Sequence, residues 1–247
     1  MSLLSLGDDE FFMLFQNSPL QTVNRLCRTH PRIRRLCQQP RFVRLIEEKV
    51  VDNLVGRYKT KEKALLAASE QGNLSDVDLL IRYGADPSNE NNQAIIVACK
   101  NGHLEIVNRL LGDERVDPNV YNNTAIMYAS QFGHLEVVNR LLADLRVDPS
   151  VCDNTPIIFA SMRGNLEIVN RLLEDPRVDP SDQDNQAIIS ASWFGNNVDV
   201  VNRLLTDPRV DPSDRNNKAI IEASKTGNLE VVNRLLEDPR VVLGHDC

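Results

Sequence analysis

No run of this sequence approaches the roughly 20 consecutive apolar residues that a membrane-spanning helix requires. Residues 1–10 contain no basic n-region and turn acidic at once with Asp8, Asp9 and Glu10, so no secretory leader is expected there. Cysteine is scarce and unpaired: Cys27, Cys37, Cys99, Cys152 and Cys247 form no C-x-x-C. An odd count without a secretion signal points to reduced thiols in an intracellular compartment, cytoplasmic or nuclear. Catalytic patterns are missing too. No H-E-x-x-H, paired zinc spacing, glycine-rich phosphate loop or G-x-S-x-G occurs, so neither enzymatic activity nor a metal or cofactor is expected. Of the four histidines, His103 and His134 stand where sister segments carry Asn73, Asn165 and Asn228. A residue interchangeable with Asn hydrogen-bonds or caps; it does not ligate metal or move protons. His30 lies in a basic segment and His245 in a tail, 244–247, that is expected to fray.

Acidic residues are lacking where basic ones cluster. Residues 1–57 hold nine Lys/Arg against six Asp/Glu, and the rest of the chain holds 19 against 29, so a segment of net +3 precedes a body of net −10. Such a body repels phosphate, and the seven arginines between Arg25 and Arg44 lack the interleaved aromatics of a single-strand binder. They read as the solvated face of helices, and nucleic acid is not expected as the main partner.

What the chain does have is repetition. Asp-Pro recurs at Asp86, Asp117, Asp148, Asp179 and Asp211, with steps of 31, 31, 31 and 32, and Gly102, Gly133, Gly164, Gly195 and Gly227 keep the same steps. Ala64 to Asp86, with Gly72, forms a divergent leading copy. Six units follow: 58–85, 86–116, 117–147, 148–178, 179–210 and 211–241, preceded by a module at 1–57. Each unit predicts two short helices, as at 94–100 and 104–111, separated by glycine. Leu104, Val107 and Leu111 form an apolar stripe at helical spacing. Helices of about eight residues fall below the ~12–15 needed for stability alone, so they must bury their apolar faces on neighbouring units. Small Ala98, Ala129, Ala160, Ala191 and Ala223 allow close approach. Asn or Asp at 91, 122, 153, 184 and 216, each followed by Asn, suits the left-handed backbone of a tight tip. Thr124 and Thr155 are placed as N-caps, and Pro156 as a first-turn residue. The fold expected is an all-α solenoid with short tips.

These units resemble ankyrin repeats. Asn154-Thr155-Pro156-Ile157-Ile158 is similar to the family's Thr-Pro-Leu-His signature, and Gly133-His134-Leu135-Glu136-Val137-Val138 to its second-helix motif; the resemblance covers about residues 58–241. Ile or Met (Ile96, Met127, Ile158, Ile189, Ile221) replaces the signature His, and each unit is about two residues shorter than the usual 33. The Asp-Pro-Arg-Val-Asp-Pro junctions are similar in style to ankyrin arrays of large DNA viruses, in which case the compartment would be a host cell's.

Positions that agree between stacked units serve packing, and those that differ are free for recognition. The Asn-Arg pairs at Asn108-Arg109, Asn139-Arg140, Asn170-Arg171, Asn202-Arg203 and Asn233-Arg234 read as a polar ladder supporting the second helices. The varying positions lie on the first helix and the tip, the concave side through which the resemblance implies that a target protein is bound. There Tyr121, Tyr128, Gln131, Phe132, Phe159, Met162, Arg163, Trp193 and Phe194 gather, in a chain only 5% aromatic that has a single Trp. Aromatics, Met and Arg with a polar rim have the composition of an interface hot spot. One extra residue at Asn196-Asn197-Val198 predicts a local bulge beside Trp193.

Residues 1–57 predict three short helices opened by Pro19, Pro31 and Pro40. Their order resembles an F-box: Leu6-Gly7-Asp8-Asp9-Glu10-Phe11 stands for Leu-Pro-x-Glu-Leu, and Leu36-Cys37-Gln38-Gln39-Pro40-Arg41-Phe42 for its ending. Gly7 and Phe42 replace the usual Pro and Trp. The resemblance implies docking on the linker subunit of a cullin–RING ubiquitin ligase through Leu6, Phe11, Leu14, Phe15, Leu26 and Phe42. The alternative is a helical cap shielding the first repeat.

Overall fold

The computed structural model describes residues 6–29, 31–195 and 197–242. His30, Asn196 of the expected bulge and the tail 244–247 lie outside the described residues. All regular structure among them is α-helical, and the chain divides into two compact units, Met1–Ala68 with Asn73–Asp86, and Ser69–Gly72 with Pro87–Cys247.

In the first unit, α1 (Asp8–Asn17), α2 (Leu20–Thr29), α3 (Pro31–Cys37) and α4 (Pro40–Tyr58) are followed by the start of α5 (Lys61–Gln71) and by α6 (Leu74–Arg82). Pro31 and Pro40 open their helices at the first turn, where the missing N–H is not needed. Glu10 accepts the Gly7 N–H at 2.7 Å and so starts α1. The apolar faces of α1 to α4 close on one core of Phe11, Phe15, Val23, Ile33, Leu36, Phe42 and Leu45. Phe15 meets Phe11 and Phe42 edge-on at 6.1 and 5.5 Å, the orientation ring quadrupoles favour. The long α4 packs on α6, where Glu47 takes an ion pair from Arg82 at 2.7 Å and the Tyr83 hydroxyl at 3.1 Å.

One expectation fails here. Cys27 and Cys37 are joined by a disulfide, with Cα atoms 5.9 Å apart, so the five thiols are not all reduced. α3 folds back against α2, which brings together two residues ten apart in sequence, a spacing that carries no pairing signal by itself.

The second unit is the repeat array. Its first helices are α7 (Asn89–Lys100), α9 (Val120–Phe132), α11 (Val151–Arg163), α13 (Asp182–Trp193) and α15 (Asp214–Thr226). Its second helices are α8 (Leu104–Leu111), α10 (Leu135–Leu142), α12 (Leu166–Leu173), α14 (Val198–Leu205) and α16 (Leu229–Leu236). First helices stack on first helices and second on second. Ala98, Ala129, Ala160, Ala191 and Ala223 have no accessible surface at these contacts. Val107 and Leu110, like their counterparts Val138 and Leu141, are also fully buried, each worth about 1.5–3 kcal/mol of transfer free energy.

Three bonded ladders run across the stack. Each tip is one left-handed turn of three positive-φ residues, such as Cys152, Asp153 and Asn154 at φ 56°, 57° and 56°. The third is an Asn, and at three of the five tips it is buried and its Oδ1 accepts the N–H of the next unit's Asp-Pro aspartate: Asn92 from Asp117 at 2.9 Å, Asn154 from Asp179 at 2.9 Å and Asn185 from Asp211 at 2.7 Å. Thr124 and Thr155, expected as N-caps, instead donate back to the carbonyls of Tyr121 and Cys152, because the left-handed turn presents those oxygens to them.

The junction arginines form the second ladder. Arg177 holds Asp175 with a two-toothed fork and donates Nη1 to the previous unit's Val147 carbonyl at 2.9 Å; Arg146, Arg209 and Arg240 repeat this on Val116, Val178 and Val210. The Arg hydrogen bonds hold the carboxyls of Asp113, Asp144, Asp175, Asp207 and Asp238 below the ordinary carboxylate range, against the opposing effect of burial.

In the third, Arg140, Arg171, Arg203 and Arg234 donate Nε to Asn108, Asn139, Asn170 and Asn202 of the preceding unit at 2.6–3.1 Å. The Asn-Arg pairs bond to one another along the second helices.

The glycine turns complete the stack. Gly102 and Gly164 take positive φ, and a Cβ there would lie 2.5 Å from the His134 ring and 2.4 Å from Asn197 Oδ1. The next unit's His or Asn thereby reaches in to the first helix's last carbonyls: His134 to Lys100 O at 2.9 Å, and Asn165 to Ser130 O at 2.7 Å.

Candidate functional site

The stacking brings the C-terminal ends of α7, α9, α11 and α13 side by side, one unit apart. Phe132 and Trp193 are about half exposed, at 46% and 50%, and Phe194 is exposed beside Trp193, with ring centroids 4.6 Å apart. Tyr128 is half-buried against Phe132 at 6.2 Å. Gln131, Phe159 and Met162 are half-buried and Arg163 is exposed. Tyr121 stands on the left-handed tip of α9, 60% exposed, and its hydroxyl accepts a bond from Asn91 at 2.7 Å. Two ring pairs are therefore in contact, Tyr128 with Phe132 and Trp193 with Phe194; Tyr121 is apart from both, at the tip.

Lys100 belongs to this surface as well, and reasoning from sequence passed over it. Its ammonium lies 5.9 Å from the Tyr128 ring centre and 5.8 Å from that of Phe132, a cation–π arrangement worth about 0.5–1 kcal/mol at an exposed site. The signal was present: Lys100 is the counterpart, one unit earlier, of Gln131, and counterparts in a stack are neighbours.

On this face the rings lie in pairs and a cation rests on one pair, and no group of three or more metal-ligating side chains forms among the described residues. The five lowered junction aspartates sit in arginine forks, and on α15 the Glu222 carboxyl is lowered by hydrogen bonds from Lys218 and Lys225. The Cys99 thiol is fully buried and its pKa is pushed well up by desolvation, which makes it unreactive. The surface recesses nearby are open grooves between successive glycine turns, one lined by Gly133, Leu135, Gly164, Asn165, Leu166 and Glu167.

Residues 64–153 and 143–216 match the family model for ankyrin repeats (3 copies), which together is more than half of the chain. This is an ankyrin-repeat protein. No curated protein matches the chain. Ankyrin repeats are protein–protein interaction modules, typically without enzymatic activity. Of the residues that occupy the place of the family's signature His in this ankyrin-repeat protein, Ile96 and Ile189 are buried at 3% and 5%, Met127 and Ile158 are half-buried, and Ile221 is exposed at 40%. His103 and His134 act like their Asn counterparts, as carbonyl ligands in the stack.

The residues expected to dock a ligase linker fare differently. Phe11, Phe15 and Phe42 have no accessible surface, being the centre of the N-terminal core, so they hold the unit together and do not present a surface. Leu6, Leu14 and Leu26 are half-buried against that same core. The apolar side chains that α1 and α4 do expose are Met13 at 63% and Val43 at 39%. Helical periodicity marks apolar residues as belonging to a face. Which face closes on the core depends on how α1 to α4 are arranged.

Proposed function

We propose that this ankyrin-repeat protein is a non-enzymatic binder that holds a target protein on the aromatic face of its first helices, centred on Trp193–Phe194 and Lys100–Tyr128–Phe132. The observation that carries this is exposure. The chain has few aromatics, and its only Trp is half out in solvent, paired with a second exposed ring, where stacking alone would have buried both. Trp and Tyr are among the residues that concentrate binding free energy at interfaces, and Phe is enriched at their cores. The test is parallel affinity capture with the intact protein and with Trp193→Ala, followed by measurement of Kd for the captured partner. Trp193→Ala is expected to weaken that partner by about 2 kcal/mol, roughly 30-fold in Kd. Capture and affinity unchanged by both Trp193→Ala and Phe132→Ala would move the interface elsewhere.

For residues 1–57 the finer reading is recruitment of a cullin–RING linker subunit, which makes the protein an adaptor. Its support is the F-box-like order of motifs together with a self-contained helical core at α1 to α4. Such docking has to use Leu6, Leu14 and Leu26 with Met13 and Val43, since the three phenylalanines are interior. The alternative, a cap, is favoured by the packing of α4 on α6, the second helix of the leading repeat, through Glu47, Arg82 and Tyr83. Met13→Asp with Val43→Asp distinguishes the two. Under recruitment, co-purification of the linker subunit with the intact protein is abolished by this pair while the helical signal is kept. A linker that never co-purifies leaves the cap.

A further inference from the structure

Independently of the aromatic face, we infer that the exposed arginines of α2 and α3 form a docking site for a carboxylate-rich segment of another protein. From residue 11 to residue 46 the sequence holds seven arginines and not one Asp or Glu. Four of the acids that flank this run are already engaged with other arginines. Asp8 faces Arg32, Asp9 holds Arg41 at 2.6 Å, Glu48 holds Arg44 at 3.0 Å and Glu47 holds Arg82. Arg25, Arg28, Arg34 and Arg35 are all exposed, and none makes an ion pair among the described residues.

They form two pairs on packed helices, linked through Arg34 and Arg28. On α2, Arg25 and Arg28 are three apart, opposite the buried Val23. On α3, Arg34 and Arg35 point away from buried Ile33 and Leu36. The two helices are tied together by the Cys27–Cys37 disulfide and by the Arg34 guanidinium, which donates to the Arg28 carbonyl at 3.3 Å. The scaffold thereby keeps the α2 and α3 cations close despite their repulsion, and Arg34 is already anchored at Arg28. All four are Arg and none is Lys, which suits two-toothed bonding to carboxylates. A protein segment fits better than nucleic acid for two reasons. The phenylalanines of α1 and α4 are buried or half-buried, so no ring is offered for base stacking, and the rest of the chain carries a net −10 that repels a long polyanion.

The experiment titrates the full chain into a fluorescein-labelled Glu-rich dodecapeptide at low salt. A Ser/Gly peptide and a 12-nucleotide single-stranded DNA of equal length serve as comparisons. The Glu peptide is expected to bind more tightly than either. Arg25→Gln/Arg28→Gln/Arg34→Gln/Arg35→Gln is expected to weaken it at least tenfold and to flatten its salt dependence, with unchanged helicity because all four residues are exposed. Lys59→Gln/Lys63→Gln, which removes exposed charge elsewhere, should leave it within twofold. Failure of the peptide to bind, equal binding by the quadruple variant, or preference for the DNA would each overturn the assignment.

Discussion

Asn154→Ala tests the physical account of the stack most directly. Asn154 is 4% exposed and sits at φ 56°; it accepts the Asp179 N–H at 2.9 Å and donates to Asp182 Oδ2 at 2.8 Å, so it joins one unit to the next twice. Alanine loses both bonds. Leaving a buried donor unsatisfied costs about 1–3 kcal/mol, and holding a residue with an ordinary Cβ in the left-handed region adds about 1 kcal/mol. The expected loss is therefore about 3 kcal/mol. Asn154→Gly separates the two contributions, because it removes the bonds but not the backbone freedom, and should lose about 1 kcal/mol less than Ala. Asn154→Asp keeps the acceptor but sets a carboxylate against that of Asp182, so its defect should shrink on acidification toward pH 4. Urea unfolding followed by circular dichroism reports the whole array. The fluorescence of Trp193, on the same α13 that begins at Asp182, reports the affected junction. If Ala and Gly are equal and both lose less than about 0.5 kcal/mol, the Asn ladder is incidental to the stack.

Gly102→Ala should destabilise more than Gly227→Ala: the first sets a Cβ 2.5 Å from the His134 ring, the second meets nothing within 4 Å and suffers only the positive φ, about 1 kcal/mol. Equal losses in denaturant melts would discard the steric part. The five junction aspartates have folded pKa values below the unfolded value of roughly 3.9. The stability they contribute is therefore complete above that pH and lost as pH falls through the folded values. Thermal melts between pH 5 and 2 should show this loss, and Asp175→Asn should make the slope shallower; an identical slope would remove the forks from the account. Closing a loop of ten residues, the Cys27–Cys37 disulfide should add about 2.7 kcal/mol to the first unit by chain entropy. Reduction, or Cys27→Ser/Cys37→Ser, should remove that amount in urea melts of the first-unit helices. Thiol titration that finds five free cysteines in the isolated, unfolded protein would refute the bridge.

Most of the array was legible in one dimension because its elements are local and recur. The 31-residue step, the alanines at the helix contacts and the Asn pairs at the tips each have a reason within a few residues, and repetition multiplies a weak signal. What the repeats do to one another was only partly legible. The Asn-Arg pairs were recognisable as a ladder, but that Arg171 bonds Asn139, or that Asn154 receives the N–H of Asp179, depends on the offset with which one unit lies on the next. Thr124 and Thr155 were misjudged for the same reason: a cap was inferred from spacing, whereas the left-handed turn redirects the hydroxyls.

By itself the sequence determined the helical repeat, its period, the positions that must pack and the short row that differs, since short helices stand only on neighbours and apolar periodicity states which side is buried. Tertiary structure alone decided that Phe11, Phe15 and Phe42 are interior and that Cys27 meets Cys37. Each of these depends on the distance between residues remote in the chain or on separate helices, and periodicity within one helix carries no information about that distance.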